Sequence, residues 1–402
     1  METGDQLSNV RVERPVADGR WLGRDEDGRV ILVDQAVTGD VIDVQVTEIR
    51  RGTVLATPIG TSTPGPSRVL PPCPHVVEGC GGCDLQHLAV SDQIGMKVEV
   101  VADALRRLGQ LPDADVRVGA VVPSEGYRTS IRAVVDGGRV ALRAAGTNEP
   151  VGIDGCLVAH PLLRELIELG HFEDVDEVVL RAGANTGERL VVASPAADAA
   201  EVPDGVLLVG ADALSAGRRA WYHDEIAGTR LRVSARSFFQ SSTAGAELLV
   251  DAVAGALGDD LGHARRVVDA YAGVGLFAAC LPIAPDTAVT AVEWNRSSLA
   301  DARINLRDRS VKIVHVDVAR WRPTPADVVV ADPSRDGLGA KAVRALAGTG
   351  AATLVLVSCD AAALGRDAKL LTAAGYRLDH ATVLDLFPHT HHVEVVSRFV
   401  RT

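Results

Sequence analysis

Two sets of residues in this sequence have the types and spacing to do chemistry. In "TLVLVSCDAAALGRDAKLL", Thr353 to Leu371, an apolar strand runs into an amphipathic helix, and Cys359 stands at the junction. The mouth of a parallel sheet is where α/β enzymes keep reactive groups, so a thiol there is a candidate nucleophile rather than an inert core hydrophobe. A candidate base follows in "LFPHTHHVEVVSRF", where Glu394 falls in the final strand beside a loop containing Pro388. His389, His391 and His392 precede it, and alternate strand residues share a face, which raises a metal reading. No carboxylate or thiol completes a familiar ligand spacing there, and a solvated structural role is expected for His389 and His391.

The second set is a cysteine loop. "PPCPHVVEGCGGCDLQHL" spaces Cys73, Cys80 and Cys83 as C-x6-C-x2-C between prolines and glycines, and Cys156 in "GIDGCLVAHP" is the obvious fourth thiol. Loop backbone can wrap closely around an ion, and four thiolates fit either zinc or a [4Fe–4S] cluster; spacing alone does not separate the two. Six cysteines in a chain read as intracellular point to metal or catalysis rather than disulfides, with Cys280 in "LFAACLP" left as core.

A third pattern would hold a nucleotide. "VVDAYAGVGLFAA" places Asp269 at a strand end and Gly273 and Gly275 in the turn before a helix, where missing side chains let a ligand approach the backbone. Glu293 ends the next strand, twenty residues past Gly273, placed for ribose hydroxyls; Asp317 ends the strand after that and could meet an adenine amino group. Such a site serves NAD or S-adenosyl-L-methionine equally well. The following strand ends in Asp332-Pro333-Ser334-Arg335, an Asp-Pro step like the one many methyltransferases turn toward the base they modify.

Methylation of uracil at C5 would give the thiol a purpose. A thiolate adding to C6 generates an enolate whose C5 can attack a methyl sulfonium. A base then removes the C5 proton, and elimination frees the enzyme. Positive or backbone donors near O4 would stabilise the enolate.

The elements that must position these groups follow from pattern. The chain has 402 residues, 47% of them hydrophobic, enough for two or three domains with real cores. Residues 10 to 58 alternate apolar and polar between turn signals, suiting a small barrel of about five strands, and "GTSTPGPSRVLPP" reads as a linker. In "VSDQIGMKVEVVADALRRLGQ" Ile94, Val98, Val101, Leu105 and Leu108 recur at helical spacing, with Ser91 as N-cap and Gly109 at the stop. A mainly strand-like stretch follows to about residue 232, with one helix near Pro161–Leu169. The remainder alternates strand and helix, predicting a doubly wound parallel sheet with two antiparallel strands added at its edge. The expected division is 1–62, 63–232 and 233–402.

Net charge is −12, which argues against a non-specific nucleic-acid binder without excluding a local basic surface. Only Lys97, Lys312, Lys341 and Lys369 are lysines among 41 basic residues, so Arg, the better grip on phosphate and base, dominates. No apolar run reaches the ~18 residues of a membrane span, and "METGDQLSNVRVERP" lacks the features of a signal peptide. A soluble cytoplasmic protein is expected.

Cys359 in "VSCD", the following "AAALGRD" and Glu394 in "FPHTHHVE" resemble the signature of the RNA uracil-5 methyltransferases, which make 5-methyluridine in 23S rRNA or in the T-loop of tRNA. The similarity extends through "SFFQSSTAGAE", "DAYAGVG", "DPSRDG" and the cysteine loop. "GRWLGRDEDGRVILVDQAVTGDVIDVQV" is similar to the family's TRAM module, an OB-like RNA-binding barrel. The resemblance implies an α/β class I methyltransferase (Rossmann-like) domain behind a TRAM barrel and a mainly β iron–sulfur domain, with the helix at 90–110 packed on the catalytic domain.

It implies Cys359 as nucleophile and Glu394 as the base for the C5 proton. Gln240, Tyr271, Gly273, Gly275, Glu293, Asp317 and Asp332 would hold S-adenosyl-L-methionine, with Asp332 also near the uracil. Cys73, Cys80, Cys83 and Cys156 would hold a [4Fe–4S] cluster in preference to zinc. The implied partner is RNA, ribosomal ahead of transfer, for a monomer with no membrane association. Ser334 departs from the family's second Pro, which should loosen that loop; Ala272 and Leu276 depart in the glycine turn. Asp360 stands where Asn is usual, adding a charge expected to disfavour the thiolate. Two other readings compete: an iron–sulfur oxidoreductase using NAD at the glycine turn, and a non-catalytic RNA-binding module of the same fold.

Overall fold

The computed structural model describes all 402 residues. Alternation along Gln6–Val16, Arg20–Arg24, Val30–Asp34, Val41–Arg50 and Thr53–Thr63 turns one set of side chains inward, and these five strands close into a barrel. Trp21, Ile31 and Ile42 fill it. Asp40 pins the exit of the barrel: its carboxylate accepts from Val37 N, Gly65 N and the Arg68 guanidinium.

Residues 130 to 210 build a six-stranded sheet covered by the helix Pro161–Leu169. Its core includes Leu163, Leu166, Ile167 and Phe172. Between barrel and sheet lie the cysteine loop and the helix Val90–Arg107. That helix starts two residues earlier than Ser91 as N-cap would give: Ala89 occupies the N-cap without a side-chain bond, and the Ser91 hydroxyl meets Asp92 instead.

The buried face of this helix differs from the one its apolar spacing predicts. Gln93, Met96, Lys97, Val100, Val101, Ala104 and Leu105 are buried, whereas Leu108 is 37% exposed. Two polar residues therefore sit where an apolar stripe would be expected.

The large sheet has eight strands. In spatial order they are Val311–His315, Ala288–Glu293, Arg266–Ala270, Val328–Ala331, Thr353–Ser358, Glu394–Arg401, Tyr376–Asp385 and Val116–Val121. The first five are mutually parallel, and Glu394–Arg401 inserts antiparallel between its neighbours. Central strands buried on both faces read as unbroken apolar runs, as in "TLVLVS". Strand order reverses between Arg266–Ala270 and Val328–Ala331, which opens a crevice at their carboxyl ends.

The segment Val116–Val121, which falls in the 63–232 stretch, supplies this sheet's outer strand, pairing parallel to Tyr376–Asp385. The helix Val90–Arg107 lies against the helix Ala361–Ala373 and the strand Tyr376–Asp385. One continuous apolar core joins barrel residues such as Val10 and Val46 to this helix and to Leu354, Leu356 and Leu364 of the large sheet and its helices. No helix is long and apolar enough to cross a membrane.

Candidate active site

Register explains how Cys359 and Glu394 meet. Ser358 pairs with Val395 across the antiparallel ladder, so the next step outward places Cys359 opposite Glu394. Cys359 is half-buried and free. Glu394 is 3% exposed, and Asp332, following the strand Val328–Ala331, stands close to both. Burial pushes the Cys359 thiol up to about 12, helped by the carboxylates of Glu394 and Asp332 and opposed by the Arg335 guanidinium. Glu394 is raised for the same reasons, burial first, then Asp332, with Arg335 again opposing. Burial also raises Asp332.

The expected penalty from Asp360 is not found. Its carboxylate turns away to cap the helix Ala361–Ala373, accepting from Ala363 N at 2.6 Å, and the charges acting on the thiol are those of Glu394, Asp332 and Arg335. The loop after Asp332 is bonded at several points. Gly337 N donates to Ser334 O at 2.9 Å, and Asp367 accepts from Leu338 N and Gly339 N at 2.6 and 3.0 Å. Gly337 has φ +80, and a Cβ there would collide with the Asp367 carboxylate.

The glycine turn borders the crevice. Tyr271 (φ 62), Gly273 (φ 56) and Gly275 (φ 94) all adopt left-handed backbone, and a Cβ on Gly273 would meet nothing within 4 Å. Glu293 accepts from Gly273 N at 2.8 Å and from Asn295 N at 2.5 Å, which fixes its carboxylate beside the turn with lone pairs to spare. Asp269 is buried, accepts from Ala278 N through Oδ2, and leaves Oδ1 without a partner; burial raises it to about 7. Asp317 is exposed at the end of the edge strand and accepts from Ala319 N at 2.8 Å. Gln240 is half-buried in the loop before the helix Thr243–Leu257. An orphaned buried carboxylate oxygen beside an open glycine turn fits a polar, cationic ligand such as S-adenosylmethionine.

Four of the other five thiols line a cavity elsewhere. Cys73, Cys80, Cys83 and Cys156 line one cavity of about 140 Å³. The Cys83 thiol is pushed up to about 12, by burial first and then by Cys156, Cys80 and Cys73; Cys80 and Cys156 are raised in the same way. Gly82 N approaches Cys80 Sγ at 3.5 Å, and His75 Nδ1 approaches Cys73 Sγ at 3.6 Å. Their donor set is all soft sulfur, yet no three such side chains converge as the ligands of a single ion do.

Residues that motif reading missed hold the loop before Glu394. Lys97 Nζ donates to Asp385 Oδ1 at 2.6 Å and to Phe387 O at 3.1 Å, with both charged side chains out of solvent. Gln93 accepts from His389 N at 2.7 Å and donates to Leu85 O and Leu88 O. Tyr127 OH donates to Pro388 O at 3.0 Å. His389, expected in solvent, is instead 2% exposed, because Gln93 and Leu85 cover it and Leu85 N donates to its carbonyl. His391 is half-buried and pairs with Asp84. The available signal was Gln93 and Lys97 themselves: polar residues four apart share a helix face.

Comparison with known proteins agrees with this architecture. Residues 6–59 match the TRAM domain. An uncharacterized RNA methyltransferase of Streptomyces avermitilis is 33% identical over 95% of this chain and 96% of its own length. The 23S rRNA (uracil(1939)-C(5))-methyltransferase RlmD of Chromohalobacter salexigens is 31% identical over 99% of this chain and 90% of its own. In fold, the chain is similar to the tRNA (uracil-54, C5)-methyltransferase of Pyrococcus abyssi, solved in complex with S-adenosyl-L-homocysteine. The TM-score is 0.74 at 24% identity, covering 97% of this chain and 99% of that one.

Proposed function

Because the chain belongs to the RNA uracil-C5 methyltransferase family, we propose that it methylates C5 of a uridine in RNA, with Cys359 as nucleophile and Glu394 as base. The observation that carries the assignment of roles is the antiparallel register that sets the thiol opposite a buried carboxylate beside the glycine-turn crevice. Ribosomal RNA is the proposed substrate class, by similarity to RlmD, and the cytoplasm the proposed compartment. Along the chain, 1–62 would grip RNA, 63–232 would carry the cysteine site while lending Val90–Arg107 and Val116–Val121 to the large sheet, and 233–402 would perform the transfer.

When bound, S-adenosylmethionine supplies an electrophilic methyl group and a positive sulfonium charge. A positive charge beside Cys359 would ease its ionisation, so the thiolate would form more readily in a filled site. The thiol proton leaves through the half-exposed mouth and Sγ bonds to uracil C6. The C5=C6 electron pair moves toward O4, and C5 would take the methyl group as the S–CH3 bond breaks, its pair staying on sulfur. Glu394 then accepts the C5 proton; the C–H pair re-forms C5=C6, and the C6–Sγ bond breaks to return the thiolate. Gly273 and Gly275 admit the cofactor, Glu293 and Asp317 would hold its ribose and adenine, Gln240 and Tyr271 would flank it, and Asp269 Oδ1 awaits a donor.

The test is labelled methyl transfer to RNA from cells lacking the enzyme. Cys359→Ala should lose turnover by several orders of magnitude, whereas Glu394→Gln should transfer one methyl group and accumulate a denaturation-resistant protein–RNA adduct. Retained activity in Cys359→Ala would refute the covalent route.

We also propose that Cys73, Cys80, Cys83 and Cys156 hold a [4Fe–4S] cluster. Supporting this are the four thiols that line one cavity, a donor set of soft sulfur alone. Methyl transfer moves no electron, so the cluster would act as a cross-link between the Cys73–Cys83 loop and Cys156. Anaerobically purified protein should contain iron and acid-labile sulfide in equal amounts, and Cys83→Ser should lose both. Zinc alone would refute the cluster.

A further inference from the structure

The loop Leu386–Val393 connects two strands of the large sheet and delivers Glu394 to the site, yet it has no ladder of its own. Its inner side is held by Lys97, Gln93 and Tyr127, as described. Its outer side is held by two residues of the cysteine loop. Asp84 accepts from His391 N at 2.9 Å through Oδ1, and from the His391 ring through Oδ2. The neighbouring Leu85 N donates to His389 O at 2.9 Å, so two consecutive cysteine-loop residues grip the loop.

The barrel closes over the same point. Gly19, in the turn between the first two barrel strands, has φ +67, and a Cβ there would lie 3.1 Å from His391 Cβ and 3.2 Å from Asp84 Oδ2. Only glycine fits both the backbone and the space. The barrel, the cysteine loop and the lead-in to Glu394 thus meet at one carboxylate.

An exposed ion pair alone contributes little. This one differs in geometry: a backbone N–H and a ring nitrogen of one residue converge on a single carboxylate, three hundred and seven residues away in sequence. It therefore constrains the backbone of residue 391, three positions before Glu394, and not merely a side chain.

We propose that Asp84 and His391 form a positioning clasp that holds Glu394 where it can take the C5 proton, joining the RNA-binding barrel and the cysteine loop mechanically to the last step of the reaction. This rests on the covalent mechanism proposed above. The nucleophile and the cofactor crevice are built on other strands, so loosening the clasp leaves addition and methyl transfer intact. Proton removal alone slows.

The experiment uses full-length protein carrying its metal and RNA from cells lacking the enzyme. His391→Ala should transfer the first methyl group within about twofold of the wild-type rate, while steady-state turnover falls roughly tenfold or more, since a displacement near 1 Å at a reacting group costs that much. Adduct to ordinary RNA should accumulate. His391→Asn should restore turnover, because its side-chain amide nitrogen takes the place of Nδ1 as donor to Asp84. Gly19→Ala, which crowds the clasp from the barrel side, should mimic His391→Ala. Unchanged turnover in His391→Ala, or a parallel loss of first transfer and turnover without adduct, overturns the clasp. RNA containing 5-fluorouridine serves as control on wild-type protein: failure to trap there overturns the covalent mechanism, and the clasp with it.

Discussion

Lys97 offers the sharpest test of how the site is held. Its ammonium is fully buried, 2.6 Å from an Asp385 carboxylate that is itself 2% exposed, and Phe387 O at 3.1 Å takes a second N–H. Burial drives Lys97 below its ordinary range while Asp385 pulls it back, the signature of a charge kept by its partner. Lys97→Met keeps the stem's volume and removes the charge, leaving Asp385 buried and uncompensated. Breaking a pair of this kind costs about 3–5 kcal/mol. At roughly 2–4 °C per kcal/mol for a domain of 150–250 residues, the melting temperature should fall by about 6–20 °C. Lys97→Met with Asp385→Leu should recover most of the loss, because well-packed apolar residues replace a buried pair at little cost. Thermal and urea unfolding of wild type, both single variants and the double variant complete the cycle. A cost below about 1 kcal/mol for Lys97→Met, or a double variant no better than the single, would refute the argument that this pair is dry and mutually dependent.

Two further outcomes follow from the site. With its thiol raised to about 12, Cys359 in cofactor-free protein should alkylate at a rate rising about tenfold per pH unit from 7 to 10 without levelling, because the thiolate fraction is still far from saturation; site-resolved mass spectrometry reads this, and a plateau near the ordinary thiol range would contradict it. Gly337→Ala should destabilise by about 1–3 kcal/mol, since it forces a left-handed residue against Asp367, and should weaken S-adenosylmethionine binding by calorimetry through the Asp332 loop.

What was legible in the sequence was local. Cys359 announced itself because a strand, a thiol and a helix lie within nineteen residues, and Gly273 with Glu293 because a strand–turn–helix pattern has fixed spacing. The pairing of Cys359 with Glu394 was suggested by motif alone; its physical cause, Ser358 opposite Val395, depends on a strand inserted out of sequence order. Gln93 and Lys97 were hidden because polar residues on a helix ordinarily face water, and only the covering loop shows what they bond. His389 was misread as solvated for the same reason. Asp84 and His391 could not be joined in advance, since nothing in either neighbourhood specifies the other.

One unbroken apolar core runs from barrel to sheet and would resist hinging between them. An RNA strand seated on the barrel would therefore meet the crevice at a constant offset, as if measured by a ruler, and the enzyme would select its uridine by distance and angle as well as by neighbouring bases. A change of target during evolution would then require reshaping the seam itself, because swapping in another barrel on a flexible tether would discard the gauge.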